Sequence, residues 1–298
     1  MLKKWLSWPV LLSHWNKVIM VDLVAPLQTL TEPEFRDFQR MIFAVAGIHM
    51  PDSKRTMVAG RLAKRLKALQ LQSYGQYWHY VERQREEKQI AVDLLTTNET
   101  YFFREPGHFE FLQQQVLPAY RAGNTLRLWS AACSSGEEAY TAAMVIAEVL
   151  GTAPWQIVAS DISTQVLTQG SRACYPMSRS EKIPELLLKR YCLRGTGEAE
   201  GSFKVVAKLR ERVQFAQINL NKTLPDIGLF DVIMLRNVMI YFNQETKRQI
   251  VNRLRSRLKP GGYFIIGHSE TLNGFQSDLH AIKPSVYRAP ISGTDYDK

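Results

Sequence analysis

From Leu126 onward, short apolar β-prone runs alternate with helical stretches, and nothing else in the sequence constrains the fold so tightly. Strands are expected over 126–131, 156–160, 213–217, 231–235 and 263–267, and helices over 137–150, 163–173 and 244–258. Such alternation builds a parallel sheet with helices on both faces, a doubly wound, Rossmann-like α/β fold. Lys259-Pro-Gly-Gly is a turn into the late strand, and Val286-Tyr-Arg reads as a last antiparallel strand. Between the second strand–helix unit and Val213 lie Arg194-Gly-Thr-Gly, Glu200-Gly and Phe203-Lys-Val-Val. These Gly-rich turns beside short β-prone runs predict a small antiparallel β insert at about 194–213. Insertions on such a sheet usually serve recognition.

The preceding stretch reads as all-helical. Thr31-Glu-Pro-Glu has capping-box spacing, Phe35, Phe38, Ile42 and Phe43 follow at helical intervals, and Gly47 and Pro51 end the helix. A second helix is expected over 53–71, with Val58, Leu62, Leu66 and Leu69 on one face. Lys54, Arg61, Lys64 and Arg65 take the opposite face, and Arg55 falls near the middle of the apolar one. Two further helices are expected before residue 97. The chain thus divides into an extension at 1–28 expected to be poorly ordered, an all-α domain at 29–97, an α/β domain at 98–290 and a tail at 291–298. The extension carries Lys3 and Lys4 before apolar residues, as a signal peptide would, but Pro9, His14, Asn16 and Lys17 interrupt the run. A weak amphipathic membrane anchor is the alternative reading.

No apolar run reaches the roughly 18 residues of a membrane span. Cys133, Cys174 and Cys192 include no CxxC pair, so no disulfide framework and no metal site are expected, and a cytoplasmic location fits. Lys and Arg number 38 against 28 Asp and Glu, a net charge of +10. Such a balance suits an acidic partner: nucleic acid, an anionic membrane or an acidic protein face.

Ligands of open α/β sheets sit at the carboxyl ends of the strands. After the first strand comes Ser130-Ala-Ala-Cys-Ser-Ser-Gly-Glu-Glu, small residues leading into a helix. It is not G-x-G-x-x-G, and Glu137 and Glu138 would repel a phosphate and welcome a cation. Acids in a first helical turn also complement the helix dipole, and on these residues alone the two readings stand level. Asp161 ends the second strand, where an acid accepts hydrogen bonds from ribose hydroxyls or caps the next helix. A nucleoside that carries positive charge satisfies both acidic features, and S-adenosylmethionine is such a ligand. Asn219-Leu220 and Arg236-Asn237 end later strands, and Asn98, Thr100 and Arg104 crowd the junction between the two domains. His268-Ser269-Glu270 cannot form a hydrolase triad, because adjacent residues lack that geometry.

Together these segments resemble the chemotaxis receptor glutamate methyltransferases of CheR type. The resemblance rests on T-T-N-E-T-Y-F-F-R-E at 96–105, W-S-A-A-C-S-S-G-E-E at 129–138, A-S-D-I at 159–162, N-L at 219–220, R-N-V-M-I-Y-F at 236–242 and L-K-P-G-G-Y-F-I-I-G-H-S-E at 258–270. The helical segment S-K-R-T-M-V with R-L-A-K-R-L matches as well, and coverage runs from about 31 to 288. The resemblance implies methylation of glutamate carboxylates on chemoreceptors by S-adenosylmethionine, with S-adenosylhomocysteine as product. It implies a cofactor site lined by Asn98, Thr100, Arg104, Glu138, Asp161, Asn219, Leu220, Arg236 and Asn237. Glu138 would face the methionine amino group, and Arg104 and Tyr241 would lie near the transferred methyl. Lys54, Arg55, Arg61, Lys64 and Arg65 would steer a glutamate-rich receptor helix. The Gly-rich insert resembles the loop that holds a receptor tail peptide by strand addition in some members. A monomer is expected, with no nucleic acid partner and no membrane insertion. Neither an N-P-P-Y-like motif for amino methylation nor a Pro-Cys nucleophile for carbon methylation is present.

Overall fold

Helix α1 (Glu32–Ala46) starts where the sequence says it should, because Glu34 reaches back to the Thr31 amide at 2.9 Å and to its hydroxyl at 2.7 Å. It ends at Gly47, whose φ of 73° suits a residue without Cβ. The computed structural model describes residues 28–120, 124–275 and 277–291, so nearly all of the expected extension and the tail from 292 lie outside the described residues. Three more helices, α2 (Arg55–Ala68), α3 (Tyr74–Arg83) and α4 (Arg85–Leu95), complete the first domain. Phe35, Phe38, Ile42, Val58, Leu62, Leu66 and Tyr77 bury their side chains together at its centre. One acid, Glu87, is buried with them. Arg65 grips it at 2.8 and 2.5 Å and the Tyr77 hydroxyl at 2.9 Å, which offsets the desolvation of its charge. The second helix is shorter than 53–71. Residues Asp52–Lys54 form a 3₁₀ turn, and Arg55, expected on the apolar face, is exposed because the α-helical register starts only there.

The second domain runs α5 (Gly107–Phe111), β1 (Leu126–Ser130), α6 (Glu137–Leu150), β2 (Trp155–Asp161) and α7 (Thr164–Arg172). Then come β3 (Cys174–Pro176), α8 (Glu185–Tyr191), β4 (Cys192–Arg194), β5 (Ser202–Val205), α9 (Ala207–Arg210) and β6 (Val213–Gln217). It closes with β7 (Phe230–Leu235), α10 (Gln244–Arg255), β8 (Leu258–Ile266), β9 (His280–Lys283) and β10 (Val286–Arg288). The main sheet has the order β6-β2-β1-β7-β8-β10-β9, and β10 is antiparallel to both neighbours. Its order reverses between β1 and β7, which register Leu128 on Val232 and Ser130 on Met234. One core packs Leu128, Ile157, Val232 and Ile265 on one face, and a second packs Trp129, Ile233, Phe264 and Ile266 on the other. The predicted doubly wound Rossmann-like sheet and preceding all-α domain are both present.

The insert is a separate three-stranded antiparallel sheet, β3-β5-β4. Its strands span 174–205, so the expected start at 194 is corrected, and residues 207–213 hold α9, a two-residue turn and the first position of β6. Strand β9 was not expected, since all four of its residues are exposed. Among the described residues no helix is long and apolar enough to cross a membrane.

The domains are joined by polar contacts. Asp93 of α4 accepts from the Thr164 amide (3.1 Å), the Thr164 hydroxyl (2.7 Å) and the Gln165 amide (3.2 Å), capping α7 from the other domain. The His49 amide donates to the Tyr241 carbonyl at 2.8 Å, and Asn219 Nδ2 donates to the Val45 carbonyl at 2.7 Å. A Cβ at Gly47 would lie 2.7 Å from Thr246 Cγ2, so this seam tolerates little more than a hydrogen there.

Candidate functional site

A cleft of about 930 Å³, including its open mouth, lies beyond the carboxyl ends of β1, β2, β6 and β7. This is the switch point at which such sheets bind ligands. Asn98, Thr100, Arg104, Glu138, Asp161, Asn219, Leu220, Arg236, Asn237 and Tyr241 all line it. Ala46 and Ile48 of the helical domain complete one wall, a contribution the sequence reading missed.

The loop after β1 is held close to its neighbours. Gly136 has φ of 92°, and a Cβ there would stand 3.0 Å from the Phe215 ring and 3.1 Å from Gly170 Cα. The Ser134 amide donates to Asp161 Oδ2 at 2.9 Å and its hydroxyl to the Asn98 carbonyl at 2.9 Å. Asp161 Oδ1 accepts from the Ser163 amide at 3.0 Å. Burial raises the Asp161 pKa, and the Ser163 and Ser134 amides pull against that rise.

Two adjacent acids sort by geometry. Glu137 is buried, accepts from Ser135 Oγ at 2.7 Å and does not line the cleft. Glu138 does line it. Its Oε1 accepts from Ser130 Oγ at 2.7 Å and its Oε2 from Arg236 Nη1 at 2.8 Å. Arg236 Nη2 donates to the Arg104 carbonyl at 2.5 Å and to Glu105 Oε2 at 3.0 Å. Its Nε is buried without a hydrogen-bond partner among the described residues. Arg236 thus spends its charge between two carboxylates.

Two further acids hold this network together. Glu105 Oε1 accepts from Asn237 Nδ2 at 3.0 Å and from the His268 amide at 3.2 Å. Burial would raise its pKa, but Asn237, Arg236 and the His268 amide outweigh burial and hold it down to about 2. Glu270 accepts from the amides of Gly267 (2.7 Å), Asn237 (2.9 Å) and Met239 (2.7 Å), pinning the loop that carries Arg236 to Tyr241. Burial raises its pKa, and those amides pull against the rise. Sequence reasoning left Glu105 without a role and excluded Glu270 only from a hydrolase triad. The one local signal was Gly267 three residues before Glu270, a spacing at which a carboxylate can bond back to its own loop.

Arg104 and Tyr241 are half-buried at the cleft. Arg104 Nη1 donates to the Glu99 carbonyl at 2.7 Å, and its guanidinium lies 5.7 Å from the Tyr101 ring centroid.

The basic helix stands apart from the cleft, and its five candidate residues divide. Lys54, Arg55 and Lys64 are exposed. Arg61 and Arg65 are half-buried and hydrogen-bonded within the domain, Arg61 to neutral groups and Arg65 to a carboxylate. Arg61 Nη1 donates to the carbonyls of Leu95 (3.1 Å) and Thr96 (2.8 Å) and Nη2 to Thr97 Oγ1 at 3.0 Å, closing the open carboxyl end of α4. Arg65 is committed to Glu87.

A family model described as "CheR methyltransferase, all-alpha domain" matches residues 33–96, and one described as "CheR methyltransferase, SAM binding domain" matches residues 98–288. The chain is 40% identical over 260 residues to chemotaxis protein methyltransferase 2 of Pseudomonas aeruginosa, covering 86% of this chain and 93% of that one. It is 42% identical over 265 residues to the chemotaxis protein methyltransferase of Escherichia coli, covering 87% and 91%. To that of Salmonella typhimurium it is 39% identical over 263 residues, covering 87% and 90%.

Proposed function

The chain belongs to the CheR methyltransferase family, and from that premise we propose that it transfers methyl groups from S-adenosylmethionine to glutamate carboxylates of chemotaxis receptors. It is an S-adenosylmethionine-dependent protein methyltransferase of chemotaxis. The glutamyl methyl ester and S-adenosylhomocysteine are the products.

One observation carries the reading: a single cleft at the switch point joins Asp161 at the end of β2 to Glu138 in the first turn of α6, with Arg236 neutralised between two acids. A phosphate would find no spare positive charge on Arg236, whereas a cationic nucleoside would find an acidic wall. When bound, the cofactor supplies an electrophilic sulfonium methyl. Asp161 accepts the ribose hydroxyls. Glu138, with lone pairs left after Ser130 and Arg236, accepts from the amino group. Asn98, Thr100, Asn219, Leu220 and Asn237 line the space between.

A glutamate carboxylate with a pKa of about 4.3 is already ionised at neutral pH, so it needs no general base to attack. The protein's task is to align that carboxylate and strip its water without protonating it. Arg104 clamps the incoming carboxylate, and Tyr241 positions it by a hydrogen bond.

Lys54, Arg55 and Lys64 steer a glutamate-rich receptor helix toward the cleft. A receptor tail peptide adds to an edge of the small sheet, where β3 and β4 are the outer strands and Leu193 is exposed. The enzyme acts as a monomer in the cytoplasm.

The test is incubation of the protein with methyl-labelled cofactor and receptor-bearing membranes. Label should enter the receptor and leave as methanol in mild alkali, as an ester does. Label that survives alkali would point to nitrogen or carbon methylation, and binding without incorporation would point to a non-catalytic nucleoside-binding module.

A further inference from the structure

His108 sits where ordinary hydrogen bonding leaves it incomplete. Its ring is 1% exposed, and Nε2 lies 2.7 Å from Ser285 Oγ. Ser285 gives its one hydroxyl proton to the Pro284 carbonyl at 2.6 Å. With its proton on Pro284, Ser285 accepts from His108 Nε2, and in that tautomer of the neutral imidazole Nδ1 is a lone pair. Nδ1 is buried and has no hydrogen-bond partner among the described residues. The atom 3.4 Å away from it is Glu105 Oε2, another acceptor. In that tautomer two acceptors face each other, one of them already bonded to Arg236 Nη2 at 3.0 Å, and a cation placed between them would bind both. His268 flanks the same gap from the solvent side, its ring centroid 4.6 Å from that of His108.

We propose that Glu105, His108 and His268 together bind a divalent transition-metal ion, zinc by preference, beside the methyl-transfer cleft. One ligand atom from each lies within 4.8 Å of the others. A tetrahedral zinc with bonds of about 2.1 Å needs its ligands about 3.4 Å apart, so the cluster must tighten by about 1.4 Å at most. His268 is exposed and free to turn inward, and it leaves the ion a route from solvent. Two imidazoles, one carboxylate and a fourth position for water form a set that zinc accepts readily. Ser285 orients the ligand ring of His108 through its other nitrogen, as the outer partners of metal-bound histidines do. Arg236 remains the second partner of Glu105 and offsets part of the ion's attraction. The site does not depend on the methyl-transfer reading, since neither histidine lines the cleft.

The experiment uses the full-length protein, stripped with a chelator and dialysed. Zinc is added by calorimetry, and cobalt(II) by visible absorption. One equivalent should bind, cobalt should give the intense d–d bands of a low-coordinate site, and zinc should raise the melting temperature. His268→Gln should weaken binding about tenfold or more and abolish the thermal shift. His79→Gln, at an exposed histidine elsewhere, should change neither. Absence of stoichiometric binding, or equal affinity in wild type and His268→Gln, overturns the proposal. So does a nuclear resonance spectrum of the zinc-loaded protein showing a proton on His108 Nδ1, whether the ring is neutral or charged, because a proton would then fill the gap.

Discussion

Glu270 offers the sharpest test at the scale of single residues, because one carboxylate accepts three amides of two different loops. Glu270→Gln turns one acceptor into a donor that faces an amide, so it should cost about 1–3 kcal/mol of stability, read from urea midpoints. It should also lower the rate of methyl transfer at saturating cofactor, since the freed loop carries Asn237 and Tyr241. Glu105 makes a prediction in pH. Its folded pKa of about 2 lies below the unfolded carboxylate value, so its stabilisation is present above about pH 5 and is lost as pH falls toward 2. Glu105→Gln should be less stable than wild type at pH 7, and the gap should narrow below about pH 5 and close only as pH approaches 2. A parallel decline in both proteins would refute the assignment. Asp161 and Glu138 were legible in the sequence because each stands at a locally recognisable place, a strand end or a first helical turn. Glu105 and Glu270 were not, because their partners come from distant loops that only the finished sheet brings together.

At the scale of elements, α7 takes its cap from α4 of the other domain through Asp93. Asp93→Ala should cost about 1–2 kcal/mol and should weaken cofactor binding, because residues 96–104 follow α4 directly into the cleft wall. Calorimetry with S-adenosylhomocysteine checks the second effect; unchanged affinity would mean that the seam holds without this cap. Arg61→Ala should likewise destabilise the fold, whereas Lys64→Ala should leave it within about 0.5 kcal/mol. The difference is invisible on a helical wheel. Both residues project from the hydrophilic side of α2, yet only Arg61 meets the carboxyl end of α4. Helices α1 and α6 could be read to the residue because caps and first-turn acids mark their starts. The outer strands of the insert could not, since β3 and β4 hold three residues each, too few to show alternation.

For the whole molecule, the excess of ten positive charges predicts behaviour that no single contact does. Receptor methylation should slow as salt rises past about 0.15 M, where the screening length is about 8 Å, while affinity for the cofactor stays nearly constant. Replacing Lys54, Arg55 and Lys64 together by Glu should slow the reaction at low salt and flatten its salt dependence. An unaltered salt curve would place docking on another face. The wall of the cleft supplied by Ala46 and Ile48 has a broader result. Neither module owns the complete chamber, so a gene that shed the leading helices would retain a recognisable sheet without a working enzyme. The segment from Thr96 to Arg104 is therefore unlike a tether that evolution can lengthen at will: every residue added to it would remodel the room it encloses. Recombination must pass the two modules on as one inheritance.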